Sequence, residues 1–120
     1  MSLGVHSITF DCHNPGELAQ FWGDALGYKV SVEEYGGIAV PPDGRGSRLL
    51  FLAVPEGKTV KNRVHLDLSP SGANMEAEVE RLVALGAQKV ELFEEPVGTW
   101  TVMLDPEGNE FCIEQPRAVE

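Results

Sequence analysis

Ala-Leu-Gly occurs twice, at residues 25–27 and 84–86, 59 positions apart, and a Lys-Val pair follows each copy (Lys29-Val30 and Lys89-Val90). Each copy closes a helical stretch that comes after an alternating strand and before three further strand-like runs. A period near 59 in a chain of 120 residues reads as two βαβββ modules within one domain spanning 1–120. The first module covers 4–55 and the second 63–116, with 56–62 as the linker. The helix of one module covers only one face of its own sheet, so the other face must meet its counterpart. The repeat therefore predicts an α+β fold of two tandem βαβββ modules, whose paired curved mixed sheets enclose a cavity and carry their helices on the outside.

The local signals agree with that plan. Asn14 can cap a helix that has Pro15 in its first turn and Glu17 reaching back to the cap. Leu18, Phe21, Trp22, Ala25 and Leu26 then form its apolar stripe, and Gly27 ends it. A second helix is predicted from Ala73 to Leu85, with Met75, Val79, Leu82 and Val83 as the stripe and Gly86 as the stop. Before each helix stands an alternating segment. In residues 6–12, Ile8, Phe10 and Cys12 oppose Ser7, Thr9 and Asp11; in residues 63–69, Val64, Leu66 and Leu68 oppose His65, Asp67 and Ser69. Further strands are predicted at 28–33, 37–41, 48–54, 89–94, 98–104 and 110–115, punctuated by Gly- and Pro-bearing turns.

Charge narrows the class of partner. Nineteen acidic against nine basic residues give a net charge of −10, which repels phosphate backbones and argues against nucleic acid. No apolar run reaches the roughly 18–20 residues a membrane helix needs, and no basic-then-apolar leader opens the sequence, so no membrane partner and a cytoplasmic location are expected. Cys12 and Cys112 suffice neither for a disulfide framework nor for a CxxC zinc pair. Composition announces no cofactor, and none is expected. The charge is uneven, because five bases and two acids between Asp43 and Arg63 give that stretch +3.

The strand parities select the candidate site. Ser7, Thr9 and Asp11 of the first strand and His65, Asp67 and Ser69 of its repeat face away from the helices. On the last strand, Phe111 and Ile113 belong under a helix, which turns Glu110, Cys112 and Glu114 the other way. An imidazole, carboxylates and a thiol converging on one interior can exchange protons with a bound molecule or contact it directly. His65 and Asp67 are the candidate catalytic pair. Ser7, Thr9, Asp11, Trp100, Glu110 and Cys112 join them as candidate ligand-binding residues, Trp100 as a platform for a planar or cationic group. Lys58, Lys61 and Arg63 can hold a ligand carboxylate or phosphate if the linker closes over the cavity. Gly57-Lys58-Thr59 has the look of a phosphate-loop end, but the upstream glycine position holds Leu52.

The segments Asn14-Pro15 to Phe21-Trp22, Leu26-Gly27-Tyr28, Asn62 to Leu68 and, most specifically, Trp100 to Cys112 with its Asp105-Pro106-Glu107-Gly108-Asn109 turn resemble the vicinal oxygen chelate superfamily, in its glyoxalase-like subgroup. That superfamily holds glyoxalases, bleomycin-resistance proteins and extradiol dioxygenases, and the resemblance covers nearly the whole chain. It implies paired βαβββ modules and a homodimer. It also implies, for metal-dependent members, four ligands whose positions fall at Ser7, His65, Cys112 and within residues 48–53. Only His65 matches, so no metal is expected at a site of that kind. The resulting expectation is a small-molecule-binding protein with a degenerate metal site. The alternatives are a metal-independent lyase or isomerase using His65 with Asp67 or Asp11, and a metal-dependent glyoxalase or dioxygenase.

Overall fold

A computed structural model describes residues 2–72 and 74–116 of the chain. It divides between Gly57 and Lys58 into two units. The first contains β1 (Ser7–Cys12), α1 (Pro15–Leu26), β2 (Lys29–Glu33), β3 (Gly36–Val40) and β4 (Arg48–Ala53). The second contains β5 (Leu66–Leu68), α2 (Met75–Leu85), β6 (Gln88–Glu95), β7 (Gly98–Leu104) and β8 (Glu110–Glu114). The sheets run β1-β4-β3-β2 and β5-β8-β7-β6. In each, the first strand pairs in parallel with the last while the remaining pairs are antiparallel. Two four-stranded mixed sheets of identical order, each with one helix, are the α+β βαβββ repeat that the Ala-Leu-Gly spacing predicts.

In the first unit the start of α1 is fixed by reciprocal bonds. Asn14 Oδ1 accepts from the Glu17 amide at 3.2 Å, and Asn14 Nδ2 donates to Glu17 Oε2 at 3.0 Å. Gly27 ends the helix at φ 71°, a left-handed conformation that glycine adopts without penalty. Leu18, Phe21 and Trp22 point into the core. There Phe10 lies between Trp22 (centroids 5.8 Å apart) and Phe51 (5.3 Å). Burying each such side chain contributes about 1.5–3 kcal/mol. The helix comes down directly on β3: a Cβ at Gly37 would stand 2.7 Å from that of Ala19 and 2.9 Å from the Pro15 carbonyl oxygen.

In the second unit Asn74 caps α2, accepting from the Ala77 amide at 2.9 Å. The expected helix start at Ala73 lies outside the described residues. Met75, Val79 and Leu82 are buried against a core that includes Met103, Phe111 and Ile113. Val83, expected in this stripe, is 46% exposed. At about 100° per residue it falls roughly 80° from Met75, on the flank of the stripe. It borders a groove of about 340 Å³ shared with Lys89 and Leu92.

The strand expected over 63–69 shortens to Leu66–Leu68, and Val64, expected to face the core, is 77% exposed. The cause lies in its partner. Leu66 pairs with Phe111, so the ladder ends where β8 begins, and the preceding segment bonds elsewhere. The Asn62 amide donates to Glu110 Oε1 at 2.9 Å, and Asn62 Nδ2 donates to Asn109 Oδ1 at 2.8 Å. Asn109 is in turn fixed by the buried Asp105, whose Oδ1 accepts from the Glu107 and Asn109 amides, each at 2.9 Å. The Asp-Pro-Glu-Gly-Asn turn thereby sets where β8 starts and what each β8 side chain faces.

Candidate functional site

On β8, Phe111 and Ile113 are buried in the core of the second unit, which turns Cys112 and Glu114 to the opposite face. The ladder then puts Asp67 beside Cys112 and Cys112 beside Val102, while on the next rung Glu114 lies beside Trp100 and Trp100 beside Phe93. Together with His65, two residues before Asp67, these residues line a pocket of about 750 Å³ that Lys61 also borders.

Asp67 is the hub of its polar end. His65 Nδ1 lies 3.2 Å from Asp67 Oδ1, so the imidazole directs its Nδ1–H at the carboxylate, and in the neutral ring that tautomer leaves Nε2 as the acceptor. The Cys112 thiol is also hydrogen-bonded to Asp67. Burial pushes that thiol up to about 11, and the charges of Asp67 and Glu114 act in the same direction, opposed by Lys61. At neutral pH the sulfur therefore keeps its proton. One ligand atom from each of His65, Asp67 and Cys112 lies within 4.8 Å of the other two.

The other end is aromatic. Phe93 and Trp100 stack with centroids 5.5 Å apart and planes 15° apart, both half-buried. The structure thus gathers His65, Asp67, Trp100 and Cys112 from the sequence candidates. Glu110 is turned to another task, bound by Lys58 Nζ at 3.0 Å and by the Asn62 amide. Partial burial alone would raise its pKa, but these donors outweigh burial and hold it below the ordinary value. Ser7, Thr9 and Asp11 belong to the first unit, on the β1 face opposite Ile8, Phe10 and the buried Cys12. Of the linker cations, Lys58 is taken by Glu110 and the Val60 carbonyl, and Lys61 lines the pocket.

Phe93 is the site residue that the strand parities did not single out. Its signal was present in the hairpin at Pro96-Val97: Glu95 pairs with Gly98, and counting back two rungs places Phe93 opposite Trp100.

The family model for the glyoxalase-like domain matches residues 7–114. No curated protein matches the sequence. Among solved structures, a mutant of the fosfomycin resistance protein FosX from Listeria monocytogenes, complexed with Mn(II) and 1S,2S-dihydroxypropylphosphonic acid, superposes with a TM-score of 0.77 at 12% identity. The match covers 98% of this chain and 93% of that one. A glyoxalase/bleomycin resistance protein/dioxygenase family enzyme from Burkholderia phytofirmans gives 0.75 at 17% identity, over 93% and 98% of the two chains. A glyoxalase-related enzyme from Fulvimarina pelagi gives 0.69 at 21%, over 92% and 86%. At these identities the likeness is one of fold.

Proposed function

The chain belongs to the glyoxalase-like domain family, within the vicinal oxygen chelate superfamily, and from that premise we propose that it binds a small organic molecule in the pocket of its second unit. The observation that carries this reading is the pairing of an aromatic stack with a polar cluster on one sheet face. A planar group lies against Trp100, His65 Nε2 accepts a hydrogen bond from the ligand, and Lys61 meets an anionic substituent. The proposal keeps the domain as modules 4–55 and 63–116 around the 56–62 linker, working in the cytoplasm as a homodimer. Light scattering that gives the mass of one chain would refute the dimer.

Binding is tested with a panel of planar aromatic acids, read by thermal shift and by tryptophan fluorescence. A binder should quench Trp100, and Trp100→Ala should weaken its binding about tenfold or more, the equivalent of some 1.4 kcal/mol. A panel without a hit, or binding indifferent to Trp100→Ala, would refute the proposal.

A second reading is favoured by the 3.2 Å contact between His65 and Asp67. In it the protein is a lyase or isomerase: Asp67 orients the imidazole, and Nε2 takes a proton from the bound substrate as general base. His65→Ala should then abolish turnover with the fold intact, and retained turnover would eliminate this reading. The FosX relative was solved with Mn(II), and the donors of this pocket fit a divalent ion, which His65, Asp67 and Cys112 would hold. An ion bound there supplies a Lewis acid that polarises a ligand oxygen.

A further inference from the structure

We propose that the groove between α2 and β6 is a second binding site, and that it takes a linear amphiphilic amine, an unbranched apolar chain ending in a primary ammonium. The groove lies on the helix-covered face of the second sheet, opposite the pocket of Trp100, and encloses about 340 Å³, within the size range of small-molecule sites. The repeat explains why it is open. Gly37 pairs with Phe51 and Thr101 pairs with Ile113, so Thr101 stands where the first unit has the glycine on which α1 rests. Counted from the caps Asn14 and Asn74, Val83 stands where the first unit has Gly23, which leaves no room for a Cβ beside Val30. Both close-approach glycines are replaced in the second unit, and both replacing side chains line the groove.

The lining selects the ligand. Met75, Val79, Val83 and Leu92 are apolar, and the Thr101 hydroxyl already donates to Met75 Sδ at 3.5 Å. The floor therefore offers dispersion contact and no unpaired side-chain polar group, which suits an aliphatic chain. Charge sets the direction of that chain. Glu76 and Glu80 border the groove one turn apart on α2, a like-charged spacing that costs stability until a cation lies between the two. Neither carboxylate has an ion pair among the described residues, whereas Glu78, elsewhere on the helix, holds Arg81. A primary ammonium has donors for both. Lys89 borders the other end of the groove. Leu92 pairs with Thr101 and Lys89 with Met103, and three residues of strand separate the two by about 10 Å. The Lys89 ammonium repels a second cation there, so the ligand carries its single charge toward the start of α2. The inference does not depend on what the Trp100 pocket binds.

The test is a calorimetric titration of the full-length protein with octylamine below its micellar concentration, beside butylamine, octanoate and octane-1,8-diamine. One octylamine should bind per chain, with affinity rising roughly threefold per methylene from butylamine. Octanoate and the diamine should each bind about tenfold or more weakly than octylamine. Glu76→Gln with Glu80→Gln should weaken octylamine about fivefold or more, and Val83→Trp, which fills the groove, should abolish its binding. Circular dichroism checks that the variants are folded, and the wild-type series decides alone if one is not. Trp100→Ala should leave the titration unchanged, because a loss there would put the amine in the other pocket. That loss, an affinity indifferent to chain length or to the sign of the charge, or binding that survives Val83→Trp would overturn the site.

Discussion

Asp67 holds two neighbours at once, the ring of His65 and the thiol of Cys112. Its effect on sulfur can be read directly in the metal-stripped protein. A thiol pushed up to about 11 exposes little thiolate at neutral pH, and thiolate is the form that alkylates. Iodoacetamide should modify Cys112 slowly at pH 7, with the rate rising about tenfold per pH unit until it levels near 11. Asp67→Asn removes both a negative charge and a carboxylate acceptor, so it should speed modification at fixed pH. Mass spectrometry of the 112 peptide separates this signal from that of the buried Cys12. A rate already level at pH 8, or unchanged in Asp67→Asn, would contradict the assignment. Much of this cluster was legible in the sequence, because the two-residue period of a strand puts His65 and Asp67 on one face and Cys112 on the corresponding face of β8. Glu110 shares that parity, yet its role depends on Lys58, 52 positions away, and alternation carries no information about such a partner.

At the scale of elements, the two helices show why one stripe matched its expectation and the other did not. The helix α1 lies directly on Gly37 and buries Leu18, Phe21, Trp22 and Ala25 of its stripe, with Leu26 half-buried at its end. In the second unit Thr101 donates to Met75 Sδ at 3.5 Å beneath α2, and the flank bearing Val83 stays open. Periodicity locates a stripe but does not reveal how closely the sheet allows a helix to approach. The same limit applies to β5, whose alternation extends further than its partner strand. Two substitutions measure the close approach in the first unit. Gly37→Ala drives a methyl to within 2.7 Å of the Ala19 Cβ and 2.9 Å of the Pro15 carbonyl oxygen, and should cost about 1–3 kcal/mol. Gly16→Ala meets nothing closer than 3.6 Å and should stabilise by roughly 0.5 kcal/mol through the smaller freedom of the unfolded chain. Asn14→Ala removes the cap and should cost about 1 kcal/mol. Urea unfolding of the three variants would show this order. Equal effects at positions 16 and 37 would mean that α1 does not sit on the glycine.

For the molecule as a whole, the chain carries a net charge of −10, yet its one locally basic stretch ends in the segment that joins the two units. Part of that positive charge is spent internally. Lys58 bonds Glu110 at 3.0 Å, and the Asn62 amide bonds the same carboxylate at 2.9 Å, tying the junction to the start of β8. These donors hold the pKa of Glu110 below its ordinary value of 4.5 even though partial burial acts the other way. A carboxylate with a depressed folded-state pKa stabilises the fold fully above the unfolded value. That stabilisation fades as pH falls from there through the folded value. Acid also relieves the repulsion among nineteen carboxylates, which opposes the trend, so the wild-type melting curve alone is ambiguous. The comparison with Glu110→Gln removes the ambiguity. Glu78, also held low, chiefly by its hydrogen bond to Arg81 against a small opposing effect of burial, titrates in both proteins and cancels. Wild type should melt above Glu110→Gln at pH 7, and the gap should close as pH drops below about 4.5. Lys58→Ala should narrow the pH 7 gap in the same way, because it removes one of the two donors. A gap that stays constant from pH 7 to pH 3 would show that Glu110 does not act through its charge, and the junction would then have to be held by its hydrogen bonds alone.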